Sequence, residues 1–124
     1  MTEHTLMITH SQVGLVAVVS MTGRFDAQSA GAAKKALLED IDSEILRIVV
    51  DLSGVDFMDS SGVGALVFVF RALKERHAEM KFCGLRDKLK TIFTMTKLHT
   101  IFDIHPNVED ALAAYPTPLS GQIT

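Results

Sequence analysis

The stretch FMDSSGVGAL, Phe57 to Leu66, gathers the side chains of this sequence that are best placed to do chemistry. Asp59 is followed by adjacent hydroxyls at Ser60 and Ser61 and by glycines at Gly62 and Gly64, with Asp56 just upstream. Such a cluster has three chemical readings: a helix cap, a nucleophile, or a site that is switched by modification. As a cap, Asp59 or Ser60 accepts hydrogen bonds from amides one turn on, and the glycines let the first turn lie against neighbouring backbone. Two adjacent hydroxyls exceed what one cap requires. A helix start also offers free amides and the positive end of the helix dipole, which can hold a phosphate.

The nucleophile reading fails on spacing. A hydrolase elbow needs glycine two residues before its serine, but Met58 stands there, and the chain lacks room for the usual sheet with acid and base loops. A phosphate-binding loop fails as well, because no Gly-Lys-Ser/Thr follows and Gly62-Val63-Gly64 is not completed by a glycine at Val67. Gly23, Arg24 and Asp26 form a second polar group, in which Asp26 reads most simply as the N-cap of a following helix.

These groups need elements to position them. Leu6 to Thr9 and Val13 to Met21 are apolar runs separated by HSQ, which predicts two strands joined by a turn, with Gly23 ending the pattern. Ala27 to Ile41 is alanine-rich, with Ala33, Leu37, Leu38 and Ile41 at helical spacing. Ile45 to Leu52 is β-branched and apolar at nearly every position, as expected of a central strand, and a short loop through DLSGVDF should then lead into the Asp-Ser-Ser cluster. Val63 to His77 is too long and continuous for a strand, so length decides for helix.

Met80 to Cys83 reads as a strand ended by Gly84, Arg86 to Thr96 as a helix, Ile101 to Ile104 as a last strand, and Val108 to Tyr115 as a final helix capped by Asn107. The order ββα βα βα βα predicts an α/β fold with a mixed sheet, an N-terminal antiparallel pair followed by parallel crossovers, and helices packed on the sheet. One domain is expected over residues 1–115, with 116–124 as a tail.

Composition bounds the function. The chain has 124 residues, 48% of them hydrophobic, and buries roughly two thirds of its unfolded-state surface in one core. No apolar run approaches the ~18 uncharged residues that cross a bilayer, and the opening MTEHTLMITH has none of the features of a secretory signal. A cytoplasmic protein without membrane insertion is expected. A net charge of −3, dispersed basic residues, one tyrosine and no tryptophan disfavour nucleic acid. Cys83 reads as a core-filling thiol; Met58, Met80 and Met95 as gap-filling core; Arg86, Lys88 and Lys90 as a solvated face. His4, His10, His77, His99 and His105 are scattered without metal-ligand spacing.

With these readings in place, VVDLSGVDFMDSSGVGAL resembles the signature of STAS-domain proteins, in particular the anti-sigma factor antagonists of bacterial partner switching. MTGRFDAQSA resembles the family's Gly-acid-or-Arg-apolar-Asp segment, with Phe25 where Leu or Ile is more usual, and FDIHPNVEDAL is similar to its closing strand and helix. The likeness covers Leu6 to Tyr115. It implies a protein that is not an enzyme and holds no cofactor. Its serine, falling on Ser60 with Ser61 as second choice, is phosphorylated by a GHKL-type kinase that is also the anti-sigma factor and brings ATP and magnesium. A PP2C-like phosphatase reverses the change, and only the unphosphorylated form binds the kinase and frees its client.

Around that serine the resemblance and the sequence suggest a supporting or partner-binding set of Gly23, Arg24, Asp26, Asp56, Asp59, Ser61, Gly62 and Gly64. On a helical wheel Val63, Leu66, Val67, Phe70 and Leu73 form the expected inward stripe, while Phe68 lies beside the wet side marked by Arg71 and Glu75, and Gly64, Phe68 and Arg71 would extend the partner surface that begins at Ser60. Two alternatives stand: a STAS subunit of another stress-sensing, secretion, biofilm or transport-accessory system, and a small acyl- or phosphoryl-transfer enzyme that uses Ser60.

Overall fold

The computed structural model describes residues 6–42 and 44–116. His4 and all of the expected tail but Pro116 lie outside them. The elements are β1 (Met7–Val13), β2 (Val16–Phe25), α1 (Ala30–Glu39), β3 (Arg47–Met58), α2 (Ser60–Glu75), β4 (Glu79–Cys83), α3 (Asp87–Met95), a 3-10 turn (Leu98–Thr100), β5 (Asp103–His105) and α4 (Val108–Ala113). The sheet runs β1-β2-β3-β4-β5, with β1 antiparallel to β2 and every later pair parallel. This is the mixed sheet that the element order predicts.

β3 is the middle strand because its sequence can be buried on both faces. Ile48, Val49, Val50 and Leu52 are wholly buried. Ile48, Val50 and Leu52 face the main core with Leu37 of α1, Leu66 and Val69 of α2, and Phe93 of α3. Val49 points the other way, to Val18, Cys83, Ala111 and Tyr115 under α4. Parallel crossovers of one hand put α1, α2 and α3 on the same side, so the single short α4 covers the other. Tyr115 fastens α4 there, its hydroxyl donating to the Ile48 carbonyl at 2.9 Å.

Several element boundaries differ from the sequence reading. The first turn is not HSQ but Gly14–Leu15, since Gln12 and Ser11 stay in register with Ala17 and Val18. Gly14, at φ +60°, supplies the left-handed position that a two-residue hairpin needs. Gly23 does not end β2. It sits inside the strand at φ +116°, beside an irregularity in the pairing with β3, and the strand continues to Phe25. β3 likewise runs on through Ser53, Val55 and Phe57 to Met58, where a loop was expected, because the bulged pairing with β2 absorbs the glycine and keeps the ladder going.

α1 starts at Ala30 rather than Ala27, and α2 starts at Ser60 rather than Val63. The buried stripe of α2 is Gly62, Ala65, Leu66, Val69 and Leu73, rotated from the expected one. Val63, Val67 and Phe70 pack only partly against the core, since small residues let the 62–65–69 line approach the sheet more closely. Met95 is 76% exposed and is not core. The last strand begins at Asp103, because Leu98 to Thr100 forms a tight turn and leaves Ile101 outside.

Candidate functional site

Two parallel strands that end side by side build the site. Arg24 lies opposite Phe57 and Phe25 opposite Met58, so the segments leaving β2 and β3 are adjacent at the carboxyl ends of the strands, where open α/β sheets collect functional groups. The Asp59 amide donates to the Phe25 carbonyl at 3.3 Å and ties the two exits together.

Asp59 is the N-cap of α2. Its Oδ1 accepts the amides of Ser61 at 2.9 Å and Gly62 at 3.2 Å, and its carbonyl accepts that of Val63 at 3.1 Å. Gly62 is required here on steric grounds: a Cβ would stand 2.6 Å from the Phe25 carbonyl oxygen and 2.8 Å from Met58 Cγ. The first turn of α2 is thereby pressed onto the end of β2. Gly64 has open space around it and is exposed. Ser60, the first helical residue, is exposed, whereas Ser61 is half-buried.

This corrects one expectation. The amides at the helix start are not generally free, since Asp59 already holds two of them; Ser60 alone in that turn has an amide outside the cap. A phosphate on the exposed Ser60 would therefore stand beside a carboxylate and compete with it for those amides.

Asp26 caps a turn and not the helix itself. Its Oδ1 accepts the amides of Gln28 at 3.0 Å and Ser29 at 3.3 Å, and α1 starts beyond them. The Ser29 hydroxyl donates to the Arg24 carbonyl at 2.8 Å and accepts the Asp26 amide at 2.9 Å. Partial burial pushes the Asp26 pKa up, but the two amides, the Ser29 hydroxyl and the Arg24 charge outweigh it and hold the carboxyl below its ordinary value. Arg24 places its guanidinium 3.9 Å from the Phe57 ring centroid, with Nε 3.5 Å from Asp26 Oδ2.

Arg24, Asp26, Ala27, Gln28, Phe57 and Asp59 line one open concavity beside Ser60. Asp56 does not join it. It is exposed and lines a different concavity with Arg86, Asp87 and Lys88, because the alternation along β3 turns it away from Phe57. Arg86 is part of an exposed face as expected, and its Nε also donates to the Ser53 carbonyl at 2.7 Å. Cys83 is buried, and desolvation, with Asp51 and Glu109 nearby, pushes its thiol up to about 12.

Along α2, Ser60, Gly64, Phe68 and Arg71 are all exposed. Their spacing sets them within one narrow stripe that extends about 12 Å from Ser60 to Phe68. Phe68 is 53% exposed, with Lys34 Nζ 4.8 Å from its ring centroid. The sequence reading missed Phe57 and Lys34. Phe57 becomes visible once the β2–β3 register is known; Lys34 carries no sequence signal, since its contact depends on how α1 crosses α2.

The family model of the STAS domain matches residues 7–111 of the chain. An anti-sigma-B factor antagonist of Listeria monocytogenes is 36% identical over 91 residues, which are 73% of this chain and 79% of that protein. The crystal structure of an anti-sigma factor antagonist from Mycobacterium paratuberculosis superimposes with a TM-score of 0.79 at 25% identity, covering 88% of this chain and 92% of that one. The Bacillus cell fate determinant SpoIIAA, in its phosphorylated form, shares the fold with a TM-score of 0.67 at 17% identity, covering 87% of this chain and 98% of that one.

Proposed function

The chain belongs to the STAS domain family, and from that premise we propose that it is an anti-sigma factor antagonist whose binding to an anti-sigma factor is controlled by phosphorylation of Ser60. The observation that carries the proposal is the setting of Ser60: an exposed hydroxyl on the first residue of α2, at the head of an exposed stripe with Gly64 and Phe68, on a turn held rigid by Asp59 and Gly62. An acceptor serine must reach a kinase active site without unfolding its own domain, and this position allows that.

In the proposed cycle the partner is a GHKL-type serine kinase that is also the anti-sigma factor. It supplies ATP and magnesium and takes the proton as Ser60 Oγ attacks the γ-phosphorus; ADP leaves. A PP2C-like phosphatase returns the serine with water as the second substrate and inorganic phosphate as the product. This chain provides the positioned hydroxyl, and the general base belongs to the kinase. Arg24, Asp26 and Phe57 flank the hydroxyl as contacts for the partner.

Phosphorylation adds about −1.5 to −2 charge. Because Asp59 already occupies the Ser61 and Gly62 amides, the domain neutralises little of that charge, and a docked partner would have to desolvate it at several kcal/mol if unpaired. A loss of ~2.7 kcal/mol already weakens binding ~100-fold. Incubation with ATP, magnesium and the cognate kinase should add a single phosphate by intact mass, absent in Ser60→Ala; a phosphate that persists in that variant moves the acceptor to Ser61 or elsewhere.

A further inference from the structure

β1 is an edge strand that lacks the usual protection of an exposed edge. Its sequence, MITHSQV, contains no lysine, arginine, acid or proline. Its pairing with β2 runs through every position from Met7 to Val13 without a bulge, and all its side chains are exposed except the half-buried Ile8. The opposite edge is finished differently: β5 is three residues long, starts on Asp103 and runs into Pro106. Shortness, charge and proline are what keep natural sheet edges from pairing with other chains.

The hairpin fixes which backbone groups of β1 point outward. Val13 and Val16 flank the two-residue turn and pair with each other, so they exchange both hydrogen bonds, and bonded and non-bonded pairs alternate from there. Ser11, Thr9 and Met7 therefore direct their N–H and C=O groups to β2. Ile8, His10 and Gln12 direct theirs to the free edge, where no strand of the described residues takes them.

On the face of β1 that carries Met7, Thr9, Ser11 and Val13 the side chains are ordered symmetrically about position 10, whereas on the other face Ile8 stands opposite Gln12. Hydroxyls flank His10 at Thr9 and Ser11, and the two ends are apolar, Met7 at 65% and Val13 at 52% exposure. We propose that β1 pairs antiparallel with β1 of a second copy of this chain, about a twofold axis at His10, so that two sheets become one continuous sheet. In that register Thr9 meets the second copy's Ser11, Met7 meets its Val13, and the outward groups of Ile8 meet those of its Gln12. An isologous contact of this kind is complete at two copies. His10 meets His10 of the second copy on the axis, and each ring is held by its own Asp40 carboxylate at 2.7 Å, which sets an opposite charge beside it. A foreign strand would have no reason to match the apolar-hydroxyl-hydroxyl-apolar order of Met7, Thr9, Ser11 and Val13 on that face, whereas a reversed copy of β1 does. Ser60 follows β3, two strands in from this edge, so the pairing edge and the Ser60 turn are separate surfaces.

Sedimentation velocity of the full chain over a micromolar-to-millimolar series tests the proposal. The weight-average mass should rise from the 13.5 kDa of one chain toward twice that value. Thr9→Lys/Ser11→Lys, which sets lysine opposite lysine in both cross-strand pairs, should stay at one chain throughout. His10→Pro removes an outward N–H that β2 does not use and should do the same, with circular dichroism checking that the fold is kept. In the wild type the amides of Ile8, His10 and Gln12 should gain exchange protection with concentration. A wild-type mass that stays at one chain overturns the proposal, as does a dimer equally strong in the lysine variant or one formed without added protection at those amides.

Discussion

The backbone amide of Asp59 donates to the carbonyl of Phe25 across 3.3 Å, and this one bond joins the end of β2 to the start of α2. It sets Ser60 at a fixed height above the sheet. Parallel pairing of β2 with β3 makes the contact possible, and Gly62 makes it close. A serine with this support behaves as a rigid part of the surface rather than as a loop.

Gly62→Ala tests that rigidity. The added methyl would meet the Phe25 carbonyl oxygen at 2.6 Å, and the backbone has little freedom to yield. We expect a loss of about 1–3 kcal/mol in denaturant unfolding, with a lowered midpoint and unchanged slope. Gly64→Ala, where nothing lies within 4 Å, should be neutral or slightly stabilising, as glycine inside a helix is unfavourable. Equal effects at the two positions would contradict the proposed packing.

Asp59→Ala removes the cap and should cost about 1 kcal/mol. The substitution also frees the amides of Ser61 and Gly62 and deletes a negative charge beside Ser60. Phosphorylation should therefore destabilise this variant less than it destabilises the wild type, measured as the difference in thermal midpoint between the phosphorylated and unmodified forms. A larger phosphate penalty in the variant would mean that Asp59 does not compete with the phosphate.

Phe68→Ala separates folding from binding. The ring is 53% exposed, so its loss should change stability by less than about 1 kcal/mol. If the stripe from Ser60 to Phe68 is the partner surface, affinity for the anti-sigma factor should fall by more than about tenfold, as for an aromatic anchor. Strong destabilisation with unchanged affinity would remove Phe68 from the interface.

Acid sensitivity should be traceable to Asp103. Lys81 is the main cause that holds its carboxyl below the ordinary 3.8, with His105 adding to the effect and partial burial opposing it. A depressed folded-state pKa contributes stability above the unfolded value and loses it as pH falls through the folded one. The difference in thermal midpoint between wild type and Asp103→Asn should close as pH falls from about 5 to below 3.8. A gap that stays constant through that range would show that the carboxylate contributes nothing.

Much of this architecture is legible in the sequence for a physical reason. Ile48 to Leu52 needs burial on both faces, and only the middle of a parallel sheet provides it. The cap at Asn107 works as expected, its side chain accepting the Asp110 amide at 2.8 Å. Boundaries are less legible where glycine is ambiguous. Gly23 reads as a break in sequence and the segment DLSGVDF as a loop, yet in the sheet Gly23 and Gly54 sit where β2 and β3 slip register and continue, and Gly54 has room for no side chain beside Thr22. The stripe of α2 turned because Ala65 and Gly62 pack inward by virtue of small size, which a count of large apolar residues overlooks. At the candidate site, Asp59 and Ser60 were visible from their types and spacing. That Asp56 faces another concavity, and that Arg24 rests on Phe57, depends on strand register alone.

Whether Ser60 switches binding is read most directly by calorimetric titration of the anti-sigma factor kinase with unmodified protein, with protein phosphorylated on Ser60, and with Ser60→Asp. Control by Ser60 phosphorylation requires tight binding by the unmodified form, at least ~100-fold weaker binding by the phosphorylated form, equivalent to ~2.7 kcal/mol, and intermediate or weak binding by Ser60→Asp, with the fold intact in all three. Equal affinity of the unmodified and phosphorylated forms would contradict it.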